Sequence, residues 1–133
     1  MEETAYGMRT EIGMAYDQAV ETVTAALKDE GFGVLTTIDV KETLKKKLDV
    51  DFRRYVILGA CNPPLAHRAL TAETEIGLML PCNVVVYEKD DGGTVIAAMA
   101  PLAALGIVES VALHEVAKEA DARLRRVVTA LEK

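Results

Sequence analysis

The sequence of 133 residues contains no tryptophan, only two cysteines, and only two phenylalanines and four tyrosines. Two cysteines are too few for the disulfide framework of a small secreted protein, so both are expected to be thiols in a reducing compartment. So few aromatic residues do not suit a protein that stacks the bases of a single-stranded nucleic acid. No apolar run approaches the length of about 18 residues that a membrane helix needs.

Positive charge is also scarce, because 15 Lys and Arg residues stand against 21 Asp and Glu residues, for a net charge of -6. A net negative charge argues against a protein that binds the phosphate backbone of a nucleic acid. The first residues, 1–4, include two acids and lack the basic and apolar regions of a signal peptide. We therefore expect a cytoplasmic protein that binds neither nucleic acid nor a membrane.

Apolar residues are plentiful, since half of the chain is hydrophobic and 27% is charged. This composition excludes a disordered chain. The length suits one compact domain, and no linker, repeat or low-complexity tract divides the sequence. We therefore expect a single domain over residues 1–133.

Hydrophobic periodicity predicts about five strands and two long helices. The predicted strands cover residues 6–12, 32–38, 55–61, 83–87 and 94–99. The long helices follow Met14 and Ser110, and short helices lie between the strands. Residues 90–93, Asp-Asp-Gly-Gly, indicate a hairpin between the last two strands. This order predicts an α+β two-layer sandwich, a mostly antiparallel sheet with helices on one face. A flavodoxin-like three-layer sheet is less favoured, because the final hairpin is antiparallel and long crossover helices are few.

Three segments carry specific burial predictions. Strand 32–38 alternates like a half-buried strand, and the continuous apolar run 55–61 is typical of a strand buried on both faces. Asp39 is predicted to cap a short helix that points Leu44 and Leu48 inward.

An apolar stretch at 97–105, together with a possible sheet edge, needs cover in so small a chain, and this predicts a homodimer.

The segment 59–64, Gly-Ala-Cys-Asn-Pro-Pro, is the most unusual local pattern. Cys61 ends a predicted buried strand, Asn62 is a favoured N-cap, and Pro63 is favoured at the first position of a helix. Unpaired backbone N–H groups at a helix start favour a thiolate, which is the nucleophilic and metal-binding form of cysteine. The alternative is that Cys61 is simply a small buried hydrophobic residue.

Cys82 opens the strand after the two short helices. If those helices run out and return, Cys61 and Cys82 are neighbours; a single continuous helix would separate them. With His67 the two cysteines offer three soft ligands for zinc or copper, although the spacing matches no standard metal motif. His67 is also a candidate base for Cys61. The alternative is that His67 is a solvent-facing helix residue.

Several stretches of this sequence match a known family pattern. They are residues 31–36, 38–40, 43–48, 57–66 together with Tyr55, and 76–86, with the elements Gly-Ala-Cys-Asn-Pro at 59–63 and Leu-Pro-Cys-Asn at 80–83. On these residues the chain resembles the DUF302 family of small bacterial and archaeal proteins. The resemblance implies a two-layer α+β fold and a homodimer, and it implies no activity. It also draws attention to Cys61, Asn62, Pro63, Cys82 and Asn83, which belong to the family pattern.

Three hypotheses on function follow. The first is a non-enzymatic module that binds a small molecule, or responds to a metal or to redox state, in a pocket near Cys61 and Cys82. The second is a thiol-dependent enzyme with Cys61 as nucleophile or redox centre and His67 or Cys82 assisting. The third is a structural or interaction protein in which these motifs serve folding and packing.

Overall fold

Six β-strands form a single sheet in the computed structural model, which describes residues 1–132. The strands are β1 (Glu2–Glu3), β2 (Gly7–Ile12), β3 (Gly33–Asp39), β4 (Tyr55–Cys61), β5 (Cys82–Glu88) and β6 (Thr94–Met99). The helices are α1 (Tyr16–Asp29), α2 (Val40–Leu48), α3 (Pro63–Ala72), α4 (Pro101–Ala104) and α5 (Val111–Leu131), with a 3-10 helix at Thr74–Met79. The strands lie in the order β1-β2-β6-β5-β4-β3, and all neighbours are antiparallel. The predicted α+β fold is confirmed.

One face of the sheet carries the main apolar core, packed against α1 and α5. Val56, Leu58 and Ala60 of β4 point into this core and are almost fully buried. Tyr55 and Ile57, which alternate with them, keep partial exposure on the other face. The prediction that β4 is buried on both faces is therefore wrong for most of its length. A continuous apolar run does not by itself show whether one face or both are covered.

Strand β1 is an addition to the five predicted strands. It has only two residues, and both are glutamates, so it lacks the apolar alternation by which strands are recognised. It pairs with β2, where the Glu2 carboxylate accepts a hydrogen bond of 2.6 Å from Arg9.

Strand β3 is much more exposed than the predicted half-buried strand. Phe32 is buried just before β3 begins, but Leu35 is 69% exposed and Ile38 is 47% exposed. Two structural facts explain the difference. The strand lies at the edge of the sheet, and a shift of register between Val34 and Thr36 interrupts the alternation of faces. Neither fact can be read from the local sequence.

Helix α2 has the predicted cap but not the predicted buried face. The Asp39 carboxylate accepts a hydrogen bond of 2.9 Å from the Glu42 backbone N–H. However, Leu44 is only half-buried and Leu48 is exposed. The prediction that both leucines point inward is wrong because α2 packs against β3 and β4 at the sheet edge, away from the main core.

The apolar stretch 97–105 finds its cover inside the same chain. Ala98, Pro101 and Leu105 are all buried, and the Asp121 carboxylate accepts a hydrogen bond from the Leu102 backbone N–H at the start of α4. This stretch therefore gives no reason to expect a dimer. The exposed edge of the sheet is the remaining reason.

Gly31 follows α1 with φ of +84°, and its N–H donates to the Lys28 carbonyl at 3.0 Å. Gly31→Ala is expected to lower the free energy of unfolding by about 1–2 kcal/mol, because an L side chain is strained in this left-handed conformation. The new Cβ would also lie 2.9 Å from Nδ2 of Asn62. Gly33→Ala is the matched control, since nothing lies within 4 Å of its Cβ. Urea denaturation measures the stability of both variants. Equal losses of stability would contradict the explanation by backbone strain at Gly31.

Candidate functional site

The two cysteines lie at the same end of the sheet, on adjacent strands. Strands β4 and β5 are antiparallel neighbours, and Cys82 pairs in register with Ala60, the residue before Cys61. Helix α3 and the 3-10 helix lead away from the sheet and back to it, which is the first of the two arrangements that the sequence left open for Cys61 and Cys82. The break between the two helices falls at Glu73.

A cavity of about 320 Å³ lies beside the cysteines. It occupies the space between the main core and a second apolar cluster formed by α3, the 3-10 helix, α5 and Leu105. The main core contributes Phe32, Ala60 and Cys82 to its walls, and the second cluster contributes Leu65, Ala69, Leu105, Val116 and Ala120. Its walls are almost entirely apolar.

Small side chains leave this space open. Ala60, Ala66, Ala69 and Ala120 all line the cavity, as does Gly77 of the 3-10 helix. Protein interiors are close-packed, so an unfilled volume of this size lined by alanines is unusual for a core. The cavity therefore exists because these lining residues have small side chains.

The cavity opens to solvent between β3 and α3. Leu35 and Leu70 line it, although both are substantially exposed, and Gly77 is exposed as well. Cys61 is half-buried in the wall, whereas Cys82 is 8% exposed. Both are free thiols. Of the two cysteines, Cys61 is therefore the more exposed.

Burial raises the pKa of the Cys82 thiol to about 11, and the nearby charge of Cys61 adds to the shift. The apolar wall disfavours the thiolate because it cannot solvate the charge. Cys82 is therefore a neutral, weakly nucleophilic thiol at neutral pH.

Raising the pH from about 9 to about 11 is expected to destabilise the wild-type protein more than Cys82→Ala. In the unfolded chain the Cys82 thiol has its ordinary pKa of 9.0 and loses its proton first. The stability that the raised pKa contributes is therefore complete below pH 9 and is lost as the pH approaches 11. Urea denaturation of both proteins across this range measures the difference, and equal losses would contradict the shift.

Asn62 has a structural role at the start of α3. Its Oδ1 accepts a hydrogen bond of 3.2 Å from the Leu65 backbone N–H, and its Nδ2 donates to the Glu30 carbonyl at 3.4 Å. Asn62 is the predicted N-cap, and it also ties α3 to the end of α1. The first two helical residues, Pro63 and Pro64, have no N–H. The prediction that unpaired N–H groups there stabilise a Cys61 thiolate is therefore wrong, because the donors are missing or already bonded.

Asn62→Ala is expected to lower the free energy of unfolding by about 1–2 kcal/mol, because the helix loses its cap and the Leu65 N–H is left without a partner. Asn62→Ser is the matched variant, since a serine hydroxyl also caps a helix but cannot reach Glu30 in the same way. It should retain a large part of the lost stability. Thermal unfolding monitored by circular dichroism compares the two, and identical losses would argue against the capping role.

The structure does not bring the other candidates into the cavity. His67 is exposed on α3 and does not line the cavity, which leaves it outside the cysteine pair. Pro63 is exposed at the first position of α3. Asn83 lines a separate groove on the uncovered face of the sheet, beside the stacked rings of Tyr55 and Tyr87. Within residues 1–132, no three or more His, Cys, Asp or Glu residues are grouped so as to hold a metal ion.

Comparison with known proteins places these features in a family. The family model for the domain of unknown function DUF302 matches residues 8–131. The chain belongs to the DUF302 family. It is similar to the crystal structure of an uncharacterized conserved DUF302 protein from Bacillus stearothermophilus, with 32% identity and a TM-score of 0.88. The similarity covers 96% of this chain and 99% of that one. The chain matches none of the curated proteins.

Most of the motif at 59–63 in this DUF302 chain serves packing. A Cβ on Gly59 would lie 2.2 Å from Oγ1 of Thr36, so any side chain there would force its neighbours to move. Ala60 is buried in the main core, Asn62 caps α3, and Pro63 begins that helix. The remaining residue of the motif, Cys61, is half-buried and is one of the residues that line the cavity.

The cavity of this chain also depends on residues that the motif does not include. Val116 and Ala120 of α5 line it from more than 30 positions away in the sequence, and Leu105 closes the second cluster. The sequence places Val116 and Ala120 on the apolar stripe of the last helix, but it does not indicate that Ala120 faces a cavity. An alanine on an apolar stripe is the only local signal of such a space.

Every helix among residues 1–132 is too short or too polar to cross a membrane.

Proposed function

We propose that this DUF302 protein is a non-enzymatic binding module that holds a small, mainly apolar molecule in the cavity beside Cys61 and Cys82. The observation that supports this proposal is the cavity itself, with about 320 Å³ of space and apolar walls. Small-molecule sites are typically concave, mostly apolar and largely preformed. An engineered apolar cavity of only about 150 Å³ stays dry and binds benzene or xenon.

The chemistry of the walls defines the ligand. Each methylene group moved from water into such a cavity is stabilised by about 0.8 kcal/mol. A buried hydroxyl or charged group without a partner is destabilised by a comparable or larger amount. Asn62 is the one amide side chain in the lining, and both its Oδ1 and its Nδ2 are already hydrogen-bonded. A ligand is therefore expected to bury a hydrocarbon part and to keep any polar end at the mouth.

Titration with octanol tests the proposal. Isothermal calorimetry is expected to show saturable binding of one octanol per chain. The matching diol, which carries a hydroxyl at each end of the same chain, is the control and should bind at least about 10-fold more weakly because one hydroxyl is buried. No saturable binding of octanol, or equal binding of the diol, would overturn the proposal.

The second hypothesis, a thiol-dependent enzyme with Cys61 as nucleophile, has less support. Its candidate base, His67, is exposed and outside the cavity, and the start of α3 offers no free N–H beside the thiol. The same position of His67 gives no support to a zinc or copper site formed with Cys61 and Cys82. If octanol does not bind, the third hypothesis, a purely structural role, would be favoured.

The homodimer remains a proposal, supported by the exposed edge of the sheet. Strand β3 is paired on one side only, and it exposes Leu35 and Ile38. Unprotected edge strands readily pair with other strands, and a second copy offers an identical one. Size-exclusion chromatography with light scattering at micromolar concentration is expected to give twice the mass of the chain. A monomer would refute the dimer.

A further inference from the structure

We infer that a second copy of the chain completes the binding site: it pairs with β3, and its Thr37 supplies the polar contact that the cavity of one copy lacks. The inference rests on the proposed function, because it requires both the cavity ligand and the homodimer. It adds a ligand-binding residue, and it makes ligand binding and dimerisation strengthen each other.

The cavity of one copy offers little to the polar end of a ligand. Among the residues of 1–132 that line it, none carries a hydroxyl group or a charge. The Asn62 amide is already hydrogen-bonded at both of its polar atoms, and the thiols of Cys61 and Cys82 are weak hydrogen-bonding groups. At the mouth, Leu35 is 69% exposed and Leu70 is 41% exposed. The site of a single copy is therefore incomplete at its mouth.

Strand β3, which borders the mouth, leaves one row of backbone groups free for another strand. It is the last strand of the sheet and is hydrogen-bonded to β4 on one side only. Six of its seven residues are exposed, so the rest of the described chain leaves this edge open. An open row of N–H and C=O groups is a template for a further β-strand. The edge therefore specifies a strand as its partner.

The composition of β3 favours its own copy as that partner. Edge strands are usually protected by charged residues or proline, but residues 33–38 carry no charge and no proline. The single charged residue of the strand is Asp39, at its end. When two copies pair antiparallel around Thr36, the middle residue, their Asp39 carboxylates lie about 20 Å apart along the strands. Two copies therefore meet without like-charge repulsion, and threonines pair favourably across strands.

The register of β3 places Thr37 on the face of the sheet that carries the cavity. Thr37 lies opposite Leu58, whose side chain is buried in the main core, so both side chains lie on this face. Thr36 lies opposite Gly59, on the uncovered face. Leu35 is skipped in the pairing at the bulge, and it lines the cavity. Bulges of this kind redirect a side chain.

A two-fold axis at Thr36 brings the partner's Thr37 to the mouth. The axis is perpendicular to the sheet, so the helical layers of both copies lie on the same side of the joined sheet. Antiparallel pairing around this axis sets Leu35 opposite Thr37 of the partner subunit, across a strand spacing of about 4.8 Å. The hydroxyl of that threonine then lies where the polar end of a ligand emerges from the cavity.

Each ligand in this arrangement contacts both copies. Its hydrocarbon part lies in one cavity, and its hydroxyl group hydrogen-bonds to Thr37 of the partner subunit. A ligand that binds the dimer more tightly than the monomer strengthens the dimer by the same factor. One neutral hydrogen bond changes an equilibrium constant by about 5-fold, so two ligands should lower the Kd of the dimer by about 25-fold.

Thr37→Val tests the inference by calorimetric titration with octanol. Valine keeps the branched shape and the strand preference of threonine but removes the hydroxyl group. We expect Thr37→Val to bind octanol about 5-fold more weakly than the wild type does. Thr36→Val is the matched control, since it makes the same change at the neighbouring residue on the other face. It should bind like the wild type, and equal affinities of the two variants would overturn the inference.

Sedimentation equilibrium with and without octanol tests the coupling. Saturating octanol should lower the Kd of the dimer for the wild type and for Thr36→Val, and much less for Thr37→Val. An unchanged Kd for the wild type would overturn the inference. If octanol binds to a protein that stays monomeric, the inference is wrong and the binding module stands. If octanol does not bind at all, the proposed function itself fails.

Discussion

Ala120→Leu is expected to weaken octanol binding by at least about 100-fold while the protein stays folded. Ala120 lies on α5, is buried, and lines the cavity. A leucine there places three additional carbon atoms in the space that the ligand would occupy. Filling an apolar cavity commonly leaves stability unchanged or increases it. Ala120→Leu is therefore expected to be as stable as the wild type and to bind octanol only weakly.

Ala122→Leu is the matched control for this experiment. It makes the same change on the same helix, two residues away, at an exposed position outside the cavity lining. Calorimetric titration of both variants with octanol measures the effect. Ala122→Leu should bind like the wild type. Undiminished binding by Ala120→Leu would mean that octanol binds elsewhere.

Gly59→Ala is expected to lower the free energy of unfolding by about 3 kcal/mol, because it forces an extra methyl group into a filled site. The new Cβ would lie 2.2 Å from Oγ1 of Thr36 and 2.9 Å from Cγ of Pro81. Thr36 lies opposite Gly59 in the β3–β4 pairing, so the contact crosses between strands. Urea denaturation measures the loss.

A double variant isolates the cause of that loss. Thr36→Ala removes Oγ1, the nearer of the two obstructing atoms, and leaves Pro81 in place. Combined with Gly59→Ala, it should restore part of the stability, because the two changes involve residues in direct contact and are not additive. Gly13→Ala is a further control, since nothing lies within 4 Å of its Cβ. Strict additivity of the double variant would contradict the packing explanation.

Local chemistry was sufficient to predict much of the fold. The caps predicted at Asp39 and Asn62 each accept a backbone N–H from the residue three positions later, and capping depends only on such local spacing. The hairpin at 90–93 joins β5 and β6 as expected. Besides the predicted two-face burial of β4, the burial errors concern β3 and α2, whose exposure follows from the position of β3 at the sheet edge. That position is set by the order of strands, which local periodicity does not contain.

The candidate site was predictable in one respect and not in another. Antiparallel strands joined by two helices place Cys61 and Cys82 at the same end of the sheet, and the sequence offered that arrangement as one of two alternatives. The cavity was not predictable, because it is a gap between two apolar clusters and is bounded by residues as distant as Phe32 and Ala120. His67 shows that nearness in the sequence does not place a residue in the site. Six positions from Cys61 in the sequence, it faces solvent, because its place on α3 directs it away from the cavity.

A crystal structure of the protein grown with octanol tests the central claim most directly. The account predicts electron density for one hydrocarbon chain between Ala69 and Ala120, with the hydroxyl directed toward the mouth near Cys61 and Leu35. Density for octanol only on the outer surface, with the cavity unoccupied at saturating octanol, would contradict the claim that this cavity is a binding site.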